Sequence, residues 1–231
     1  MNANWQLDEL AHAGHEHLDP DFVANFDRKQ NFDPSEDVEL LRCHGLAADS
    51  TLIDLAAGTG KLAVAAAPHC RRVIAVDISP LMLQAIQQRV AAARLTNVEV
   101  VHAGFLTYEH EGAPADVIYT RNALHQLPDF WKVRALQCIA GWLRPGGILC
   151  VRDLIFDCAP DDIARVIDAW FARASSDPKR GYTAEDFAEH IRTEHSTFRW
   201  LFERMLEATG FDVLDVAYRA QVYAAYTCRR R

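Results

Sequence analysis

The chain lacks the marks of several large protein classes. None of its six cysteines stands in a C-x-x-C spacing, which argues against a zinc ribbon or a thioredoxin-like redox pair. Cys43, Cys138 and Cys150 stand among apolar residues and read as small core side chains, so a reduced, cytoplasmic protein is expected. Residues 1–21 are polar and hold no apolar signal core, and no uninterrupted apolar run is long enough to span a bilayer. Basic residues are outnumbered, 24 Lys and Arg against 32 Asp and Glu, for a net charge of −8, and they are scattered. Nucleic acid is therefore not an expected partner. Arg229-Arg230-Arg231 is too short to change this and reads as a frayed end. There is no internal repeat, no low-complexity tract and no clear linker.

What is present is a large apolar fraction, half of 231 residues, enough for one sizeable core. Residues 21–47 read as helical around a turn at Asp33-Pro34-Ser35, with Ser35 as cap of a helix starting at Glu36. A rhythm of short apolar runs and helical stretches follows. Strands are predicted at Thr51–Leu55, Arg72–Asp77, Asn97–His102, Ala115–Thr120 and Ile148–Leu154. Helices are predicted at Lys61–Ala67, from Pro80 behind the cap Ser79 to about Arg94, and at Asp129–Leu143, with a turn at Pro145-Gly146-Gly147. Alternation of this kind requires crossovers and a mostly parallel sheet. Continuous apolar runs imply that both faces are covered. Residues 157–195 break the rhythm as a polar helical insertion, and Ser196–Thr209 reads as a helix closed by Gly210. The last strands, Phe211–Tyr218 and Val222–Thr227, are too close for a helical crossover and form an antiparallel hairpin at the sheet edge.

The chemistry centres on Asp54-Leu55-Ala56-Ala57-Gly58-Thr59-Gly60-Lys61. Gly58-x-Gly60-x-x-Ala63 matches the dinucleotide fingerprint, and Asp77 closes the next strand, placed for a ribose hydroxyl pair. A tight turn with no ligand is the alternative. Asp54 discriminates between nucleosides. A carboxylate beside the loop repels a pyrophosphate but suits a cationic ligand. Lys61 does not stand in the Walker pattern either. These features point to S-adenosylmethionine, which carries a sulfonium and an ammonium and no phosphate.

The sequence here resembles the class I S-adenosylmethionine-dependent methyltransferases. IDLAAGTG (53–60) resembles their first motif, LDLGCGTG. VIAVDIS (73–79) resembles the second, LRPGGIL (143–149) resembles the turn before the fifth strand, and the final hairpin resembles the reversed seventh strand. Together these span residues 38–228. The resemblance implies an α/β Rossmann-like fold, with a mostly parallel seven-stranded sheet, helices on both faces and a C-terminal antiparallel hairpin. It implies one domain over 1–231, with an N-terminal helical extension at 1–47 and an insertion at 157–195 as lid. It also implies residue roles. Asp54 would hold the methionine ammonium. Ala56, Gly58 and Gly60 would pack under the amino acid and ribose; Ala56 stands where the family often has glycine and is tolerable there if φ stays negative. Asp77 would bind the ribose, while Ile78 and Met82 would flank the adenine. At Gly104, beside Phe105, the family commonly has an acid bonded to the adenine amino group.

Methyl transfer needs orientation and water exclusion, and a base only where the acceptor must lose a proton. Thr120-Arg121-Asn122-Ala123-Leu124-His125 follows the fourth strand, where the mouth of such a site lies. Asn122 is a cofactor candidate and Arg121 a substrate candidate. His125 is a candidate base, with a core histidine as the alternative, and Asp153 a candidate for orienting the acceptor. His195 and Trp200 are candidates for acceptor contact, and Phe26, Lys29 and Phe32 for an N-terminal flap. His12, His15 and His17 sit close together in a terminal segment with no evident supporting shell, so no metal is expected. The expected activity is methylation of an O, N or C atom of a small molecule, yielding S-adenosylhomocysteine. The alternatives are a catalytically silent module of this fold and an NAD-dependent oxidoreductase.

Overall fold

The structure, a computed structural model, describes residues 5–231, apart from the side chains of His15 and Glu16. Its centre is β1 (Thr51–Leu55), where every residue is buried. Alternate side chains go to opposite faces. Leu52 packs with α2 (Ser35–Cys43), α3 (Lys61–Ala66) and α4 (Pro80–Ala92) on one side. Ile53 and Leu55 pack with α5 (Asp129–Trp142) and α8 (Arg199–Ala208) on the other. Helices therefore cover both faces, as the continuous apolar runs require.

The remaining strands are β2 (Arg72–Asp77), β3 (Val98–His102), β4 (Ala115–Arg121), β5 (Leu143–Phe156), the two-residue β6 (Thr197–Phe198), β7 (Phe211–Arg219) and β8 (Tyr223–Arg230). The sheet runs β3-β2-β1-β4-β5-β8-β7, with β6 beside the end of β5. Strands β1 to β5 pair in parallel, while β8 is antiparallel to both β5 and β7. The reversed hairpin is thus present, with its second strand inserted next to β5. The chain direction changes side between β1 and β4, so the strand ends open a crevice there.

Three local expectations need correction. The Pro145-Gly146-Gly147 stretch is not a free turn, because β5 runs unbroken from Leu143 and absorbs it as a register shift against β4. Gly147 is required there, since a Cβ would lie 2.9 Å from the Arg144 carbonyl oxygen. Ser35 does not cap α2. Its N–H and hydroxyl both donate to Asp33, so Asp33 organises the turn. The helix expected from Ser196 starts at Arg199, because Thr197 and Phe198 first extend the sheet against Ile155 and Phe156.

Two elements lie over the strand ends. One is α1 (Pro20–Gln30), capped by the Asp19 side chain. The other is the insertion, which carries α6 (Ile163–Phe171) and α7 (Ala184–Thr193), the latter opened by a Thr183–Asp186 capping box. The insertion has its own apolar cluster of Leu154, Phe156, Val166, Trp170 and Val222, and Trp170 stacks on Phe187 at 4.2 Å. The two elements touch: Lys29 pairs with Asp186 at 3.2 Å and Gln30 donates to the Tyr182 hydroxyl at 2.7 Å.

Candidate active site

The loop after β1 is wound tightly. Ala56, Gly58 and Gly60 all have positive φ, at 60°, 56° and 77°. The condition for an unstrained alanine at position 56, a negative φ, is therefore not met. The loop bends at once after Leu55, and alanine takes a conformation natural to glycine. An L-residue there is disfavoured by about 1–2 kcal/mol. Ala56→Gly is expected to stabilise the protein by about 0.5–1 kcal/mol, since the unfolded chain gains freedom in partial offset. A melting curve checks this, and a lower melting temperature would contradict it. At Gly60 a Cβ would stand 3.1 Å from Ile86, so the residue also lets the loop sit against α4.

Two buried carboxylates brace this loop. Asp54 accepts the Ala63 N–H at 3.1 Å, in the first turn of α3. Asp77 accepts Gly58 N–H at 2.8 Å and Ser79 N–H at 2.9 Å. Burial pushes the Asp54 carboxyl up to about 7, with Asp77 and Asp37 adding to the rise. Burial pushes Asp77 up to about 6, against its backbone hydrogen bonds. Two acids close to neutrality, side by side at strand ends, are poised to ionise when a cation or a set of donors arrives.

Next to them is a narrow cavity of about 40 Å³. Its wall includes Ala56, Ile78, Gly104, Phe105, Ala123 and, from the N-terminal segment, Glu9. Glu9 is a residue that no local sequence pattern points to. It is 7 % exposed, and its carboxylate accepts the Leu106 N–H at 2.9 Å. Burial raises its pKa, opposed by those donors. It lies where only glycine leaves room: a Cβ on Gly104 would be 2.5 Å from its oxygen. The acid absent from position 104 is thus replaced in space by one almost a hundred residues earlier in the chain. Met82 does not line this cavity. It is buried in the core behind Ser79, whose hydroxyl caps its N–H.

α1 covers the loop from the other side. A Cβ on Gly58 would meet the Phe26 ring at 3.4 Å, and Thr59 donates its hydroxyl to Asp27 at 2.5 Å. Asn122 sits at φ 48°, and its amide donates to Gln30 of α1 at 3.4 Å. Arg121 does not reach into a substrate space. It pairs with Asp37 at 3.4 Å and stacks on Phe32 at 4.1 Å, although its buried Nε has no hydrogen-bond acceptor. Asp37, which sequence reasoning passed over, is a hub: it also accepts from Tyr119 at 2.7 Å and pairs with Arg152 at 2.8 Å.

His125 is 6 % exposed, with both ring nitrogens facing carboxylates. Nδ1 meets Asp153, and Nε2 lies 2.8 Å from Glu194. Burial alone would lower its pKa, but Asp153 and Glu194 lift it to about 10. With both ring nitrogens engaged by carboxylates, the ring has no free nitrogen to offer an acceptor in this arrangement. Asp153, 3 % exposed, is likewise spent, on His125 and on the N–H groups of Leu124 and Leu154. His195 is bound to the same region, its N–H donating to the His125 carbonyl at 2.8 Å, and its ring lies near that of His12, a cavity-lining residue. Trp200 is 53 % exposed on α8, stacked on Phe198, so it does not fill an acceptor pocket. Of His12, His15 and His17, His12 faces Asp8 and His195 and His17 faces Phe22 and Phe26, while the His15 side chain lies outside the described ones.

Residues 52–147, from β1 into β5, match the methyltransferase domain family. Over this stretch, under half of the chain, the sequence is similar to methyltransferase domains. A demethylmenaquinone methyltransferase of Shouchella clausii is 30 % identical over 108 residues, which covers 45 % of each chain. The match thus spans under half the length of that relative. Likeness of fold reaches beyond that stretch. A magnesium protoporphyrin IX methyltransferase of Synechocystis PCC 6803, solved with S-adenosylmethionine bound, superposes with a TM-score of 0.66 at 14 % identity, covering 99 % of this chain and 100 % of that one. A S-adenosylmethionine-dependent methyltransferase of Aquifex aeolicus gives 0.63 at 18 % identity, with 92 % and 99 % covered. At such identities the likeness concerns the fold. The helix lying across the strand ends and the inserted α6 and α7 fall outside the matched methyltransferase domain.

Proposed function

We propose that the protein is an enzyme that transfers the methyl group of S-adenosylmethionine to a small-molecule acceptor. The observation that carries this is the pairing of Asp54 with Asp77 around a positive-φ glycine loop, at the crevice of a methyltransferase fold. Asp54 would face the ammonium and sulfonium end, Asp77 the ribose hydroxyls. Ile78 and Phe105 would bound the adenine, with Gly58, Gly60 and Asn122 under the methionyl part. Glu9, lodged against Gly104, is placed to accept from the adenine amino group. An NAD-dependent reading is disfavoured because Asp54 repels a pyrophosphate.

The present cavity is far smaller than the several hundred Å³ that a cofactor of this size requires. The protein therefore opens to bind. α1 and the N-terminal segment are the parts that would swing, since they cover the loop through Phe26, Asp27 and Glu9. The insertion, tied to α1 by Lys29–Asp186, would close with them as a lid and exclude water from the transfer. No helix among the described residues is long and apolar enough to cross a membrane, and we assign the protein to the cytoplasm on its unpaired cysteines. Relatives that act on demethylmenaquinone, mitomycin and magnesium protoporphyrin IX support a planar, mainly apolar acceptor.

Because the cation favours ionised Asp54, binding must expel its proton. Affinity for S-adenosylhomocysteine is expected to rise about tenfold from pH 6 to pH 8, as the pH passes the value of about 7 held by Asp54. Calorimetry in two buffers of different ionisation enthalpy would show proton release near pH 6. A pH-independent affinity would remove Asp54 from the ligand. The activity itself is tested by incubating the protein with methyl-labelled S-adenosylmethionine and a panel of phenols, quinols and amines. Label in an acceptor supports the reading, and cofactor binding with no transfer to any of them points to the silent module.

A further inference from the structure

We infer that His125, His190 and Glu194 form a binding site for one divalent transition-metal ion of the zinc class. The three come from two separate elements. His125 lies in the short helical turn after β4, and His190 and Glu194 lie one turn apart at the end of α7. Their ligand atoms, His125 Nε2, His190 Nδ1 and a Glu194 oxygen, all fall within 4.8 Å of one another. The histidines are 6 % and 9 % exposed, and their rings meet edge to face at 5.0 Å.

The detail that points to a cation concerns one oxygen. Glu194 Oε2 lies 2.8 Å from His125 Nε2 and 2.9 Å from His190 Nδ1. Yet this buried atom has no aligned hydrogen-bond donor. Two ring nitrogens and a carboxylate oxygen thus converge on one point in close but poorly aligned ion pairs. A metal ion at that point takes a lone pair from each. Donors on a tetrahedron around zinc, at about 2.1 Å, stand about 3.4 Å apart. Glu194 follows the last helical residue of α7, where its side chain can swing outward by the required half ångström.

The surroundings are built as a ligand shell is built. A metal-bound histidine holds its second nitrogen on a fixed acceptor, which sets the tautomer and the ring angle. Here His125 Nδ1 is held by Asp153, itself fixed by the N–H groups of Leu124 and Leu154. His190 Nε2 is held by the Ser196 hydroxyl at 2.7 Å. The Trp170 ring edge walls one side at 5.8 Å. Two imidazoles and one carboxylate suit zinc, iron(II) or manganese(II), and three protein ligands leave a coordination position for water or an acceptor oxygen. A bound ion would also tie α7 of the insertion to the end of β4. This inference is independent of the methyltransferase reading, and its test uses no cofactor.

The experiment takes the full chain, purified without chelator and assayed for metal content, then stripped with EDTA and titrated with Zn²⁺ and Co²⁺ alone. Expected are one ion per chain, a rise in melting temperature on reloading, and visible absorption bands from Co²⁺ in a low-symmetry site. Glu194→Gln and His190→Ala are each expected to weaken Zn²⁺ binding at least about 100-fold, and Asp153→Asn, one shell out, about 10- to 100-fold. His12→Ala, in the N-terminal segment, should leave binding unchanged. Absence of stoichiometric binding by the stripped wild-type chain would overturn the site and leave His125 as a protonated link between two carboxylates. So would binding lost in His12→Ala but kept in Glu194→Gln. Should a variant fail to fold, the Co²⁺ spectrum of the wild-type chain decides alone: a spectrum of octahedral aquo type contradicts the site.

Discussion

Asp77→Ala is expected to weaken binding of S-adenosylhomocysteine about 10- to 150-fold. The loss of a hydrogen bond to a charged group is worth about 1.5–3 kcal/mol, and each 1.4 kcal/mol is tenfold. Position makes the effect large. Asp77 ends β2 in the crevice, buried, with its two oxygens already aligned by Gly58 and Ser79 N–H groups. A ribose arriving there would find acceptors that need no reorganisation. The substitution also loosens the glycine loop, so the melting temperature without ligand must be measured beside the affinity. An affinity that does not change would sink the ribose assignment, whatever the stability shows.

The second large effect concerns stability rather than binding. Asp37→Ala is expected to destabilise the protein by about 3–5 kcal/mol, because it strips one buried carboxylate from several partners at once. Tyr119 loses an acceptor and Arg152 a counter-charge, both in the interior between α2 and the ends of β4 and β5, and Arg121 loses its partner too. The corresponding fall in melting temperature is on the order of 10 °C. Asp37→Asn keeps the shape and one acceptor and should lose less. A fall below about 1 kcal/mol in the alanine variant would show that water replaces the carboxylate and that the hub is not closed.

Sequence alone revealed most of the frame, for physical reasons. Buried parallel strands must be continuous apolar runs, so β1, β2 and β4 stand out, and Ser79-Pro80 marks the start of α4 as a cap and first residue do. The glycine loop and the acids beside it were legible because their spacing follows from strand, turn and helix lengths. What failed to show were contacts between distant segments. Glu9 against Gly104, Asp37 beneath Arg152, and Glu194 on His125 each join residues that no local period relates. His125 illustrates the cost of reading a residue type alone. A histidine after β4 has the right place for a base, but Asp153 and Glu194 take both of its nitrogens. Trp200 shows the converse: an aromatic that reads as an acceptor contact lies on the open face of α8. One signal was available and unused. His190 and Glu194 stand four apart on a helix with a clear Thr183 capping box, which places both side chains on one face.

On the proposed function, the loop between β1 and α3 would hold an adenosyl amino acid and not a pyrophosphate. The most direct measurement is calorimetric titration of the full chain with S-adenosylhomocysteine and, separately, with NADH, at pH 8 where Asp54 is ionised. Micromolar binding of the first and no binding of the second are expected. Binding of NADH, with none of S-adenosylhomocysteine, would contradict the proposed function and leave only the fold.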